Sequence, residues 1–453
     1  MIHRAIGVLF CLAIFKWSSR VLKFSIRRFC FVFALLASIL IAQGVIRPYP
    51  YMEGNEWHRA VGKQTRTADG TQGKNYWSNR ADYKIEATLV PETAMLTGHV
   101  RMTYHNNSPD TLRTLMVHLR QNLHAEGANR NRSVEITGGM TVDNVKLDGE
   151  PVRRTRRRIS GTTMRIRLTN RLQPGKTAML EMDFSFRVPK SSQAPRMGHE
   201  NNRVFFLGYW YPQFAVYDDV RGWVADPYMG NGEFYMGYGN YDLAITAPHG
   251  WIVRATGEMT NEKDVLPQKI RSRLKKARTS DDVVNIITKA EMGIPGKATR
   301  KSSKKTLTWK FKATNVRDAA VSLSDRYLWD ATHATFDDLE GKKTTAMIHA
   351  VYETNARAWD KGADFCRHAV EYMSKRTYPY PWPHMTACEG IVGGGMEFPM
   401  MTDVGTTGSP RGVQGTIAHE TIHMWFPMIC GSNEKEYSFM DEGLTSFFTS
   451  LPP

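Results

Sequence analysis

His419 and His423 stand four positions apart with Glu420 between them, and Glu442 follows after eighteen intervening residues, inside Met440-Asp441-Glu442-Gly443. Residues four apart share one face of a helix, so both imidazoles can address a single cation while the glutamate stands beside it. Zinc bound by three protein ligands keeps a fourth position for water, and a neighbouring carboxylate can take that water's proton. The chemistry this spacing implies is hydrolysis, with one Zn2+ per chain held by His419, His423 and Glu442 and with Glu420 as general base. An HExxH segment also occurs by chance on solvated helices, so its surroundings must be weighed.

Those surroundings predict two helices. Ser409-Pro410 provides an N-cap and first helical position, Val413 and Ile417 are apolar at helical spacing, and Pro427 stops the run. Beyond it, Leu444, Phe447, Phe448 and Leu451 form an i, i+3, i+4, i+7 stripe. Glu442 falls on the opposite side with Thr445, Ser446 and Thr449, whose small side chains allow a second helix close approach.

Upstream lies Gly393-Gly394-Gly395-Met396-Glu397-Phe398-Pro399. Glycines let a backbone approach a ligand unobstructed, and a carboxylate just after them could hold the free α-ammonium of a peptide. The plainer reading is a tight glycine turn ending a strand, Thr386 to Val392, with Glu397 solvated.

Together the two motifs resemble the gluzincin zinc aminopeptidases of the membrane alanyl aminopeptidase type. The segments Asn75-Tyr76-Trp77 to Asn107, Gly208 to Tyr241 and Met440 to Gly443 are similar to bacterial members, so the resemblance covers nearly all of the chain after the leader. It implies peptide substrates with a free N-terminus, Glu397 as amine anchor, and Gly394, Gly395 and Met396 as further substrate-binding residues. This chain departs from the family pattern in carrying Phe398-Pro399 where many members have Asn after the glutamate. The family also places an oxyanion-stabilising tyrosine and a helical domain downstream of the third ligand. Eleven residues follow Glu442 here, none of them tyrosine, so the expectation is a C-terminally truncated member, either an active peptidase or a catalytically impaired zinc- or peptide-binding remnant.

The fold expected is multidomain α+β: an N-terminal β-rich, antiparallel-sheet domain over 76–353, then an incomplete, mostly helical, thermolysin-like zinc domain over 354–453. Strand patterns run over Tyr83 to Val90, Met95 to His105, Leu112 to Leu119, Met164 to Leu168, Ala178 to Val188, Tyr241 to Ala247, Leu307 to Ala313 and Ala346 to Tyr352, with a helical pattern from Ala356 to Lys375. Residues 46–75 read as a polar linker. The aromatic-rich stretch Trp210 to Tyr241 reads as packing, with Asp218 and Asp219 able to meet a cation.

With 453 residues, 42% of them hydrophobic and 23% charged, the chain can bury a large core. Its formal charge of +16 is concentrated in two blocks, Arg153 to Arg158 and Lys263 to Lys305, which read as a charged hairpin and an exposed insertion. No recognised nucleic-acid motif accompanies them, and no nucleic-acid partner is expected. Lys23, Arg27 and Arg28 precede the apolar run Phe29 to Ala42, so residues 1–45 read as an export signal or membrane anchor, with a periplasmic, cell-envelope or membrane-anchored location. Cys366, Cys388 and Cys430 make no disulfide framework, and Cys430 is expected to be a small buried hydrophobe.

Overall fold

The computed structural model describes residues 54–405 and 408–451. The export segment expected over 1–45 lies outside the described residues. The described residues from Ala60 onward form one compact unit. No helix among the described residues is long and apolar enough to cross a membrane. A helix, α1 (Asn55–Gly62), lies within the stretch read as linker.

Alternating apolar residues dictate the first sheet. Tyr83, Ile85, Ala87 and Leu89 of Arg80–Val90 face the core, as do Leu96, Val100, Met102 and Tyr104 of Met95–His105. The two strands pair antiparallel from Arg80 opposite His105 to Val90 opposite Met95, and Thr177–Arg187 continues the sheet. The expectation of a purely antiparallel sheet needs correction. Gly239–Pro248 joins the other edge of Arg80–Val90 in parallel, Tyr83 opposite Tyr241, before pairing antiparallel with Thr306–Val316. A strand that returns after a long connection, rather than through a hairpin, is free to enter in this sense. Its first residue must be glycine, because a Cβ on Gly239 would lie 1.6 Å from the Ala81 carbonyl oxygen.

The helical C-terminal part is built on a second, mixed sheet of six strands in the order Val284–Ile287, Leu328–Asp337, Lys343–Tyr352, His384–Glu389, Met401–Val404 and Gly395–Phe398. Strands from both sides of position 353 therefore share one sheet, and the part expected to be mostly helical contributes three strands. His384 to Cys388 are all buried, as a central strand flanked by parallel neighbours requires. Helices α4 (Gly362–Arg376) and α5 (Pro410–Ile422) pack on this sheet and on each other, and α6 (Glu442–Ser450) packs on α5.

Three local expectations change. The lysine-rich block is not an exposed insertion: α2 (Glu262–Val265) and α3 (Gln268–Ala277) bury Val265, Ile270, Leu274 and Ala277, and Val284–Ile287 is the edge strand of the six-stranded sheet. Lysines at helical spacing leave one face apolar, which is enough to dock it. Cys430 is exposed, because the Tyr238 hydroxyl donates to the Ile429 carbonyl and accepts the Gly431 N–H, bracketing a turn that directs the thiol outward. The cation met by Asp219 is internal: Arg66 donates to both its oxygens, at 2.8 and 2.9 Å. The aromatic stretch does pack, with Trp210, Tyr211, Phe234 and Tyr241 buried.

Glu291 fastens the docked block to its helix. Its carboxylate accepts from Arg273 (2.5 Å), Lys269 (2.9 Å), and the Thr288 N–H and hydroxyl (3.1 and 2.8 Å). Burial opposes its charge, but these donors outweigh burial and hold its pKa down to about 2. A depressed carboxylate contributes stability above its ordinary pKa near 4.5 and loses it as pH falls toward 2. Glu291→Gln should therefore lower unfolding free energy at neutral pH by on the order of 2 kcal/mol. Urea unfolding across a pH series should show that deficit narrowing below about pH 5; a pH-independent deficit would contradict the assignment.

Candidate metal and peptide site

Helix α5 starts as its sequence dictates, with the Ser409 hydroxyl accepting the Gly412 N–H at 3.1 Å and Pro410 in the first position. Buried Val413 and Ile417 press it against the sheet, which leaves His419 and Glu420 in its last turn and His423 at its C-cap. The chain then turns back, and Glu442 opens α6. Fully buried Thr445 permits the close approach of the two helices: its hydroxyl lies 3.2 Å from His423 Nδ1 and donates to the Phe426 carbonyl at 3.1 Å. One turn on, the Thr449 hydroxyl lies 3.5 Å from His419 Nδ1.

With their Nδ1 atoms on that side, both imidazoles present Nε2 to Glu442, whose Oε2 lies 3.2 Å from His419 Nε2 and 3.7 Å from His423 Nε2. The rings stand 4.8 Å apart at 90°. One donor atom from each of the three residues lies within 4.8 Å of the others. Two imidazole nitrogens and a carboxylate oxygen, each imidazole also held at its second nitrogen, form a donor set that suits zinc. A neighbour not singled out from the sequence supports it: buried Asp441 places Oδ1 2.7 Å from His423 Nδ1, an ion-pair contact outside hydrogen-bond geometry.

Glu420 points to the glycine strand. A Cβ on Gly395 would sit 2.2 Å from Glu420 Oε1, so a side chain at that position would displace the carboxylate. Glu420 Oε2 is buried without a hydrogen-bond partner among the described residues. Burial pushes its pKa up to about 7, with His423 and His419 opposing and Glu442 and Glu233 adding to the rise. Gly394 takes φ +89°, a conformation that favours glycine.

Glu397 is not solvated. It is 5% exposed and accepts no hydrogen bond from any described residue. An oxygen of Glu397 lies within 4.8 Å of donor atoms on Glu420 and His423, and within the same distance of carboxylate oxygens on Glu233, Glu434 and Asp441. Burial raises its pKa well above the ordinary range, His423 counters this, and Glu233, Asp441 and Glu420 add to it. Two arginines partly balance the cluster. Arg196 pairs with both oxygens of Glu233, and Arg317 pairs with Glu434 at 2.6 Å. Met396 is buried with its sulfur 3.0 Å from Arg196. Phe398, at the position of the family asparagine, packs on Phe206 and Tyr209.

Sequence reasoning missed Glu233, Glu434, Arg196 and Asp441. Glu233 sits in a Gly-Asn-Gly-Glu loop far from the zinc motif in sequence, with no periodicity to flag it. Asp441 carried a signal, since it adjoins a proposed ligand. A cavity of about 500 Å3 opens onto Glu233, Glu397, Glu420 and Glu442.

No protein-family model and no curated protein sequence matches this chain. Solved structures do match in fold. The M1 zinc metallopeptidase from Deinococcus radiodurans is 14% identical, with 83% of this chain and 71% of that one covered, at a TM-score of 0.50. A glutamate-to-alanine mutant of the M1 zinc metallopeptidase from the same organism, bound to a Tyr-Ser-Ala substrate, is 14% identical over 84% of this chain and 72% of that one, at 0.50. A two-domain M1 zinc metallopeptidase mutant bound to L-tryptophan is 13% identical over the same shares, at 0.51. The β-rich sheets and helical C-terminal part are thus arranged as in M1 zinc metallopeptidases.

Purified protein should bind about one zinc per chain, and His423→Ala should abolish tight binding. Asp441→Ala, which leaves the three donors in place, should weaken zinc affinity roughly 10- to 100-fold in titration against a competing chelator. Equal zinc affinity in wild type and His423→Ala would refute the site.

Proposed function

We propose that this chain is a zinc-dependent metallopeptidase, of the gluzincin, membrane alanyl aminopeptidase type, that removes residues from the free N-termini of peptides. The observation that carries the reading is Glu397: a buried carboxylate with no donor of its own, facing Glu233 and standing beside Glu420. Arg196 already meets Glu233, so it is Glu397, without a protein donor and opening onto the cavity, that favours a cation arriving from outside. The α-ammonium of a peptide has the right charge and three donors.

His419, His423 and Glu442 would hold the zinc. Bound there, it would supply Lewis-acid polarisation of a water and of the scissile carbonyl. The chain's own residues do the rest. Glu397 and Glu233 fix the substrate N-terminus, so that only the first peptide bond reaches Glu420. Glu420, raised to about 7 and resting on Gly395, takes a proton from the attacking water and returns it to the leaving amine. Gly394 and Gly395 keep side chains away from the substrate backbone. In this reading residues 354–453 belong to a thermolysin-like catalytic region preceded by the β-rich domain, and the N-terminal apolar run directs export.

Acetylating the N-terminus of a good substrate removes the charge that Glu397 and Glu233 would meet. A charge-assisted hydrogen bond is worth about 1.5–3 kcal/mol, so kcat/KM should fall roughly 10- to 100-fold on the blocked peptide. Glu397→Ala should lower turnover of the free peptide and erase the difference between the two. Similar wild-type rates on free and blocked peptides would point to an endopeptidase.

A further inference from the structure

The first arginine block forms more than a hairpin. Positions 151–172 contain eight arginines (153, 154, 156, 157, 158, 165, 167 and 171) and no Lys, Asp or Glu. Arg157–Ser160 and Thr163–Leu172 pair antiparallel about Gly161, with Arg158 directly opposite Arg165. On its other side Thr163–Leu172 pairs with Leu112–His118, placing Arg165 opposite Met116 and Arg167 opposite Thr114. Because Met164, Ile166 and Leu168 are buried, the alternating Arg165 and Arg167 face solvent, and Arg158 shares their face. Arg156 extends the row by donating to Thr169, the next outward position, at 2.8 Å. Among the described residues no carboxylate lies within ion-pair distance of any of these arginines.

Like charges directly opposite on a sheet are destabilising, and no carboxylate among the described residues offsets this array. Arginine, rather than lysine, presents a planar fork matched to phosphate oxygens. The surface is a flat sheet face. It offers neither a helix that could enter a major groove nor exposed aromatic rings on which bases could stack, the two devices by which proteins usually read nucleic acid. We infer that the face carrying Arg158, Arg165 and Arg167 docks the protein electrostatically on a bilayer surface rich in anionic phosphate headgroups. This contact is independent of the peptidase reading and of the N-terminal apolar run.

The test is co-sedimentation of the full chain with phosphatidylcholine vesicles with and without phosphatidylglycerol, at low and high salt. The wild type should bind the anionic vesicles in salt-sensitive excess over the neutral ones. Each basic residue near such a surface contributes about a fivefold gain, so combining Arg158→Ser, Arg165→Ser and Arg167→Ser should cut that excess roughly a hundredfold. Binding to neutral vesicles should not change. The triple variant should unfold no earlier on heating, since it loses only mutual repulsion. A control combining Lys263→Ser, Lys275→Ser and Lys276→Ser removes equal charge elsewhere and should cost less than about threefold. No anionic excess, an unchanged triple arginine variant, equal losses in the lysine control, or tighter binding to duplex DNA than to vesicles at matched phosphate would each overturn the proposal.

Discussion

The constraint on which the site depends is a cluster of carboxyl groups held largely out of water. Glu233, Glu397, Glu434 and Asp441 bring carboxylate oxygens within 4.8 Å of one another, and Glu420 joins Glu397 and His423 within the same reach. Removing such groups from water is costly unless cations meet them. Arg317 answers Glu434 from a fully buried position, also donating to the carbonyls of Met236, Pro427 and Ser432, and Arg196 answers Glu233. The remaining carboxylates hold the His423 pKa well above its ordinary value even though burial lowers it. On the function proposed here, this acidic chamber would receive two further cations, a divalent metal between the imidazoles and an ammonium group at Glu397.

The rest of the architecture keeps that chamber in shape. The six-stranded sheet carries the glycine strand at its edge, where Gly395 leaves space for the Glu420 carboxylate. Val413 and Ile417 seat α5 so that its last turn reaches the same point. Thr445 sets the approach of α6, while Leu444 and Phe447 of that helix remain exposed and Phe448 stacks on Phe426 at 5.7 Å. Arg317 links the β-rich part to the segment between the two helices through the carbonyls of Pro427 and Ser432.

Much of this was legible in the sequence where local rules govern. The N-cap, the proline positions and the apolar spacing of α5 are short-range signals, and so are the alternating strands from Tyr83 to Tyr352. Geometry set by chain return was not legible. The parallel entry of Gly239–Pro248, the strand pairing across position 353, and the docking of the lysine-rich block depend on contacts between distant segments. For the same reason Glu233 could not be found: its pairing with Arg196 has a sequence signature no stronger than that of any loop glutamate. Asp441 and Cys430 fail differently, since their neighbours were visible but the direction of the side chain was not.

The most direct measurement of the account is zinc content and peptidase rate in Glu420→Gln. The amide keeps the shape that rests on Gly395 but cannot accept a proton. Zinc should remain at about one per chain, as the three proposed ligands are untouched, while hydrolysis of an unblocked peptide should fall by roughly 100-fold or more. Loss of the metal with the glutamate, or turnover that survives its replacement, would mean that the roles assigned to these residues are wrong.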